Sequence, residues 1–241
     1  MTSIGDGHDK DNDSFEKTDN VVPLKVPRKK ASAPKTTAAP VEPILNIPPV
    51  TKYLLGTILV IHLIVTYLLS DNQTNWAFTH LGFIPGRFTG FAIFEPLALL
   101  TPLTHMFFHG GWLHIAMNTV MLLAFGSGVE RWIGGKKMII FFLLSGLCGA
   151  ALHLVLNYNS FMPVIGASGG LSGLFALALI MINRQNGGIT GKYGIWPIVG
   201  IWVGISVLFG FIGSPDGSEI AWAAHVGGFL GGFALIKLMK I

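Results

Sequence analysis

The chain has 241 residues, 51% of them hydrophobic and 12% charged, with a mean hydropathy of +0.60 and a formal net charge of +4. Soluble domains carry about 25% charged residues, so this composition excludes an ordinary soluble globular protein and points to an integral membrane protein. The single cysteine, Cys148, excludes an intramolecular disulfide, and a small net charge beside so much apolar sequence gives no reason to expect a nucleic-acid partner.

Residues 1–50 are rich in Lys, Pro, Asp, Thr and Ala and almost free of aromatics. Such a stretch cannot bury enough apolar surface to offset chain entropy, and a disordered tail is expected there. Its first 20 residues are polar, with no apolar core of a cleavable signal peptide. The basic stretch Lys25, Arg28, Lys29, Lys30 and Lys35 is expected to meet lipid headgroups and to set topology. Residues 51–241 then form the membrane domain.

Six apolar runs follow, near 53–70, 112–127, 137–157, 168–183, 195–213 and 220–239. Each approaches the ~20 residues with which a helix crosses ~30 Å of hydrocarbon. The expected fold is an all-α membrane protein, a six-helix bundle. The second and fourth runs are short and begin in Gly-rich turns, so their outer ends are expected below the membrane surface, enclosed by protein or facing a water-filled cavity. The 1–2 connection is too long for a passive loop. Its stretch Phe91 to Trp112 carries one charge, Glu95, among several aromatics, the pattern of an element lying partly in the bilayer.

Lys and Arg fix the direction. The tail with Lys52, the 2–3 connection (Arg131, Lys136, Lys137), the 4–5 connection (Arg184, Lys192) and the C-terminus (Lys237, Lys240) hold every basic residue except Arg87. By the positive-inside rule both termini are cytoplasmic.

With that direction, four polar side chains from three distant runs share one depth in the outer part of the membrane domain. Ser168 opens the fourth run, His225 lies near the start of the sixth, and His114 and Asn118 begin the second, on one helix face by their i, i+4 spacing. Ser plus His is the smallest set that makes an activated hydroxyl nucleophile and its base. Gly169-x-x-x-Gly173 on the fourth run faces the task of packing against Gly227-x-x-x-Gly231 and Gly228-x-x-x-Gly232 on the sixth. Such patterns let helix backbones approach closely in lipid, and close approach of these two runs would pair Ser168 with His225.

These motifs together resemble the rhomboid family of intramembrane serine proteases. Gly166-Ala-Ser168-Gly169 is similar to its G-x-S-G, Ala224-His225-Val-Gly-Gly228-Phe-Leu-Gly-Gly232 to its A-H-x-x-G-x-x-x-G, and His114-Ile-Ala-Met-Asn118 to its H-x-x-x-N. His109-Gly-Gly-Trp112 and Gly128-Val-Glu130-Arg131 add to the likeness, which covers about residues 52–241. The resemblance implies Ser168 as nucleophile, His225 as general base and then acid, and an oxyanion held by the Ser168 N–H with His114 and Asn118. It implies no cofactor or metal, single-span membrane proteins as substrates, and a laterally placed flap in the 1–2 connection. Six spans without a seventh resemble the basic bacterial form, which implies the bacterial inner membrane with an outward-opening site. Two positions depart from many members: no Trp-Arg pair occurs between Asp71 and Gly111, and Ser172 stands where an aromatic often follows the nucleophile.

Rival readings are weaker. A transporter needs ionisable groups across the bilayer, whereas this polar set stops in the outer part. The alternative is a catalytically inactive rhomboid-like protein that binds membrane helices, a kind that usually lacks the Ser or the His, both of which are present here. His62 and His153 read as packing residues or proton relays. His105, His109 and His114 lack the Glu of an H-E-x-x-H zinc site. Glu130 and Arg131 read as a structural ion pair or cap on the inner side.

Overall fold

The computed structural model describes residues 46–185, 193–213 and 221–241. The tail expectation for residues 1–45, and Lys192 of the 4–5 connection, lie outside the described residues.

Ten α-helical segments follow in chain order among the described residues. α1 runs Pro49–Tyr67. The 1–2 connection holds α2 (Asp71–Leu81), α3 (Gly86–Thr89), a 3-10 turn Pro96–Leu100, α4 (Thr101–Thr104) and a second 3-10 turn His105–Phe107. α5 (Trp112–Met121) continues through a π-turn, Leu122–Gly126, into α6 (Ser127–Ile133). α7 (Gly135–Leu156), α8 (Ser168–Gln185), α9 (Trp196–Ile212) and α10 (Trp222–Leu238) complete the bundle. Apart from one isolated bridge, the described residues are helix and turn.

Each apolar run thus became a helix. By length and composition α1, the continuous α5–α6 and α7 can cross a membrane, and α9 and α10 are apolar but 17 residues long. α8 ends in Asn183-Arg184-Gln185, where Arg184 stacks over the Trp132 ring and donates to the Ile241 carbonyl at 3.1 Å. The second run is longer than expected. Gly126-Ser-Gly128 does not stop it, because the π-turn absorbs the irregularity and the helix proceeds to Ile133.

α7, α8 and α10 form the centre. Phe141, Phe142, Leu171, Leu174, Leu177 and Phe229 are fully buried around them. Lipid is as apolar as these side chains, so close packing rather than water exclusion must hold the helices together. Glycine supplies the room. A Cβ on Gly149 would meet the Ala224 carbonyl at 2.6 Å, and one on Gly170 would meet the Phe142 ring.

The start of α1 is fixed from afar. Pro49 suits the first helical position, where no N–H is needed. The next donors find the carboxylate of Glu130 on α6: Val50 N–H at 2.9 Å, Thr51 N–H at 2.6 Å and the Thr51 hydroxyl at 2.7 Å. A carboxylate on a helix N-terminus satisfies orphan donors and meets the positive dipole end. Glu130 is therefore the expected cap. Arg131 is not its ion-pair partner and donates instead to the Asn46 carbonyl.

The 1–2 connection is tied at several points. Phe83 and Val164 exchange two backbone hydrogen bonds, 2.9 and 2.8 Å. Gly86 N–H donates to the Ser160 carbonyl, and Thr104 Oγ1 to the Leu81 carbonyl at 2.6 Å. Glu95 lies 3.4 Å from His80 and 3.9 Å from Arg87. Between these ties, Phe91, Ile93, Phe94, Leu99 and Leu100 are exposed.

The Glu130 cap yields a stability test. Glu130→Ala leaves buried donors at the start of α1 without their acceptor and should lower stability by roughly 2–3 kcal/mol. Glu130→Gln keeps one acceptor oxygen and should lose less. Equilibrium unfolding in mixed detergent micelles reads both, and an unchanged midpoint for the alanine variant would show that the cap contributes little.

Candidate active site

The loop that leads into Ser168 is shaped by one glycine. Gly166 has φ +124°, a region that side chains strongly disfavour. Its N–H donates to the His105 carbonyl at 2.9 Å, tying the loop to the 1–2 connection. Ala167 is fully buried, and its carbonyl accepts the first helical bond, from Leu171 N–H at 3.0 Å. Ser168 therefore sits in the opening turn of α8, where backbone N–H groups are unpaired and the dipole is positive.

The pairing with α10 follows from helix register. A Cβ on Gly228 would fall on the Gly169 carbonyl, and one on Gly232 would lie 2.9 Å from the Gly173 Cα. A Cβ on Gly173 would in turn collide with the Ser145 side chain and reach the Gly228 carbonyl at 3.1 Å. His225 precedes Gly228 by three residues and so lies on the same face of α10. With the backbones this close, His225 Nε2 lies 2.8 Å from Ser168 Oγ. The serine hydroxyl can donate to Nε2 when the imidazole carries its proton on Nδ1.

His114, on α5, completes the near side. A Cβ on Gly166 would lie 2.6 Å from His114 Nε2 and 3.7 Å from Ser168 Oγ, so the ring lies beside the serine across a space only glycine leaves open. Asn118 lies one turn further along α5 and is buried, and its Nδ2 donates to the His114 carbonyl at 3.0 Å. One of its two amide protons is thus engaged within its own helix. The structure brings Ser168, His225 and His114 together directly and keeps Asn118 adjacent through that carbonyl. Ser168, His225 and His114 are half-buried, while Gly166, Ala167, Gly169 and Ala224 around them are buried.

Three features of the site were not visible in sequence. Ser172 turns its hydroxyl back to the Ser168 carbonyl at 2.7 Å, a local bond available to any serine four residues on in a helix. The Gly166–His105 bond and the Phe83–Val164 bridge join segments that carry no shared pattern. The three described acidic side chains are engaged elsewhere. Glu130 caps α1, Glu95 faces His80 and Arg87, and Asp71 opens α2. Among the described residues no group of three His, Cys, Asp or Glu is arranged to hold a metal ion.

Known proteins share this chain's pattern. The YdcA protein of Bacillus subtilis (strain 168), whose name carries the words rhomboid protease, is 28% identical over 181 residues, 71% of this chain and 86% of its own length. Rhomboid protease GluP of the same organism is 31% identical over 135 residues, 56% of this chain. Rhomboid-type serine protease 2 of Emericella nidulans is 29% identical over 136 residues, 54% of this chain. The chain spans only 24% and 25% of the latter two. The model of the rhomboid domain matches residues 97–240, which include the His114 turn, the Gly166 loop and the paired helices α8 and α10. With more than half its length matched in this way, and with several helices apolar enough to cross a bilayer, the chain belongs to the rhomboid family of multi-pass membrane proteins.

Proposed function

We propose that this chain is an intramembrane serine endopeptidase working with a Ser168–His225 dyad. The observation that carries the reading is the 2.8 Å separation of Ser168 Oγ and His225 Nε2. His225 takes the hydroxyl proton as Ser168 attacks the scissile carbonyl carbon. The Ser168 N–H, His114 Nε2 and the free proton of Asn118 Nδ2 hold the oxyanion. Collapse expels the amine, protonated by His225, and leaves an ester on Ser168 that water hydrolyses. Donors aimed at a developing oxyanion are usually the largest single catalytic contribution. A dyad without a carboxylate suits a low-dielectric site, where a third buried charge is costly.

In this reading the six long helices all span the membrane with both termini cytoplasmic, as the basic residues ask. The tail 1–50 then lies inside, and 51–241 is the protease domain. The site faces outward, in a bacterial inner membrane, and the substrates are single-span membrane proteins. Purified protein in detergent with a model single-span substrate tests the reading, beside Ser168→Ala. Wild-type binding without cleavage would leave an inactive helix-binding relative instead.

Ser168→Ala and His225→Ala should each lower cleavage by roughly 10⁴-fold or more while the protein stays folded and inserted. A fluorophosphonate should label wild type and not Ser168→Ala. Substantial proteolysis by either variant would sink the dyad.

Asn118→Ala should slow turnover by roughly 10²–10³-fold, the effect of one lost oxyanion donor, with nucleophile and base intact. An unchanged kcat would make Asn118 a packing residue that only steadies the His114 carbonyl.

The cut should fall near the outer end of the substrate helix, after a small residue. A helical peptide bond is shielded by its own i→i−4 pairing and must unwind to reach Ser168, and Gly or Pro nearby lowers that cost. Glycines and close-packed helices bound the space beside Ser168, so Phe before the cut should slow cleavage strongly. Mass spectrometry of the fragments locates the bond. A dominant cut in the inner half of the substrate helix is incompatible with the proposed depth and orientation.

A further inference from the structure

The elements that lead from α1 to α5 wall a cavity of about 430 Å³, none of whose lining residues belongs to the site above. α2 gives it Thr79, α3 gives Arg87, the stretch before the first 3-10 turn gives Phe91, Ile93 and Glu95, and the segment between α7 and α8 gives Phe161. Sites for small ligands run from roughly 300 to 1,000 Å³. The lining combines two chemistries. One is charge. The Arg87 side chain is 11% exposed, and its Nη1 is buried without a hydrogen-bond partner among the described residues. Glu95 Oε2 lies 3.9 Å from that nitrogen, beyond hydrogen-bonding reach, and 3.4 Å from His80 Nε2. The other is apolar surface. Phe91, Ile93 and Phe161 are 53%, 84% and 62% exposed. The Phe91 ring meets the Tyr158 ring at 5.6 Å, so the aromatic rim continues onto the segment between α7 and α8.

The two charges select the ligand. A bare anion is drawn by Arg87 and repelled by Glu95, and a bare cation meets the reverse. A molecule that carries both signs on a short linker meets both. A phosphate accepts from a guanidinium through paired N–H groups. A primary ammonium brings three donors to a carboxylate. Glu95 is 40% exposed and has room to turn toward such an ammonium, which leaves the guanidinium to the phosphate. The rim asks for hydrocarbon on the same molecule, because large apolar side chains gathered around a charged recess suit an amphiphile rather than a solute.

We propose that this cavity binds the headgroup of a phospholipid with a primary ammonium, of the phosphatidylethanolamine class. Its phosphate lies on Arg87, its ammonium on Glu95, and an acyl chain runs along Phe91, Ile93 and Phe161. The bound lipid joins α2, α3 and the 91–95 stretch to the segment before α8. It thereby adds to the backbone ties that the same elements make at Ser160 and Val164. The inference stands apart from the protease reading, since it uses neither residue of the dyad.

The test varies the headgroup and holds the chains constant. Full-length protein in mild detergent is titrated with dioleoyl phosphatidylethanolamine, phosphatidylcholine and phosphatidylglycerol, and native mass spectrometry counts the bound lipid. Choline keeps both charges and lacks the N–H donors, while glycerol lacks the cation. The ethanolamine lipid should bind about tenfold more tightly than either, the weight of one charge-assisted hydrogen bond. Arg87→Gln and Glu95→Gln should each bring its binding down to the choline level. An ethanolamine lipid with a diazirine on its acyl chain should label the wild type within residues 91–95 and 158–162, as peptide mass spectrometry locates. Equal binding of the three lipids by the wild type overturns the inference, and so does an ethanolamine preference unchanged in both variants. Label spread evenly over the long helices overturns it too. Glycerophosphoethanolamine that binds as tightly as the lipid shows a site for a solute and overturns the lipid occupant. The headgroup series and the labelling need only the wild type, so they decide the matter even where a variant fails to fold.

Discussion

The backbone contact between α8 and α10 is the constraint on which the rest depends. Helix pairs in lipid gain nothing from expelling water, so they rely on van der Waals contact and on polar bonds across the interface. Here the contact is nearly backbone on backbone. Gly228 lies against the Gly169 carbonyl, and Gly232 against Gly173. Packed interiors are bistable rather than continuously deformable, so a Cβ at Gly228 would force the helices apart or past each other. The distance between Ser168 and His225 is therefore set by glycines that carry no chemistry. α7 braces the pair from a third side, with Gly149 against the Ala224 carbonyl one residue before His225.

The polar groups are arranged to suit a medium that penalises charge. Ser168 and His225 can share a hydrogen bond while both are neutral. His105 bonds the Thr101 carbonyl through Nδ1, also as a neutral ring. The buried carboxylate, Glu130, meets three donors at the start of α1, where the helix dipole favours a negative group. The same bonds lock α1 to α6, some 80 residues on, and so position the helix that carries His62.

Features that repeat along one helix were legible in the sequence. Apart from the second, which continues to Ile133, the apolar runs gave the helices to within a few residues, and Gly169-x-x-x-Gly173 with Gly228-x-x-x-Gly232 announced the α8–α10 contact. Spacing also put His114 and Asn118 on one face of α5. Features that join distant segments were not legible. Nothing near Val50 or Thr51 names Glu130, and nothing in Phe83 names Val164, because backbone pairing carries no side-chain signature. The π-turn at Leu122–Gly126 was hidden for the opposite reason. The apolar run stops near Ser127, just after the turn, yet the helix continues because neighbouring helices hold it.

The 1–2 connection shows how these two kinds of order meet. Its own sequence looks like surface, with Phe91, Ile93 and Phe94 exposed. Three of its backbone ties run to the segment before α8: Phe83 to Val164, Gly86 to Ser160, and the His105 carbonyl to Gly166. No Trp-Arg pair is needed to anchor it, because Glu95 draws in His80 and Arg87 while the backbone bridge fixes the register. Exposed ion pairs contribute little on their own, so the backbone bonds carry most of the anchoring. The consequence is mechanical. Val164 lies four residues before Ser168 and Gly166 two, so displacing the connection pulls on the loop that presents Ser168. Strain there acts on the Gly166 turn, where φ is already in the region that only glycine adopts freely. The connection therefore belongs to the site's framework as much as to its rim, because its backbone bonds to Val164 and Gly166 hold the loop that leads into Ser168.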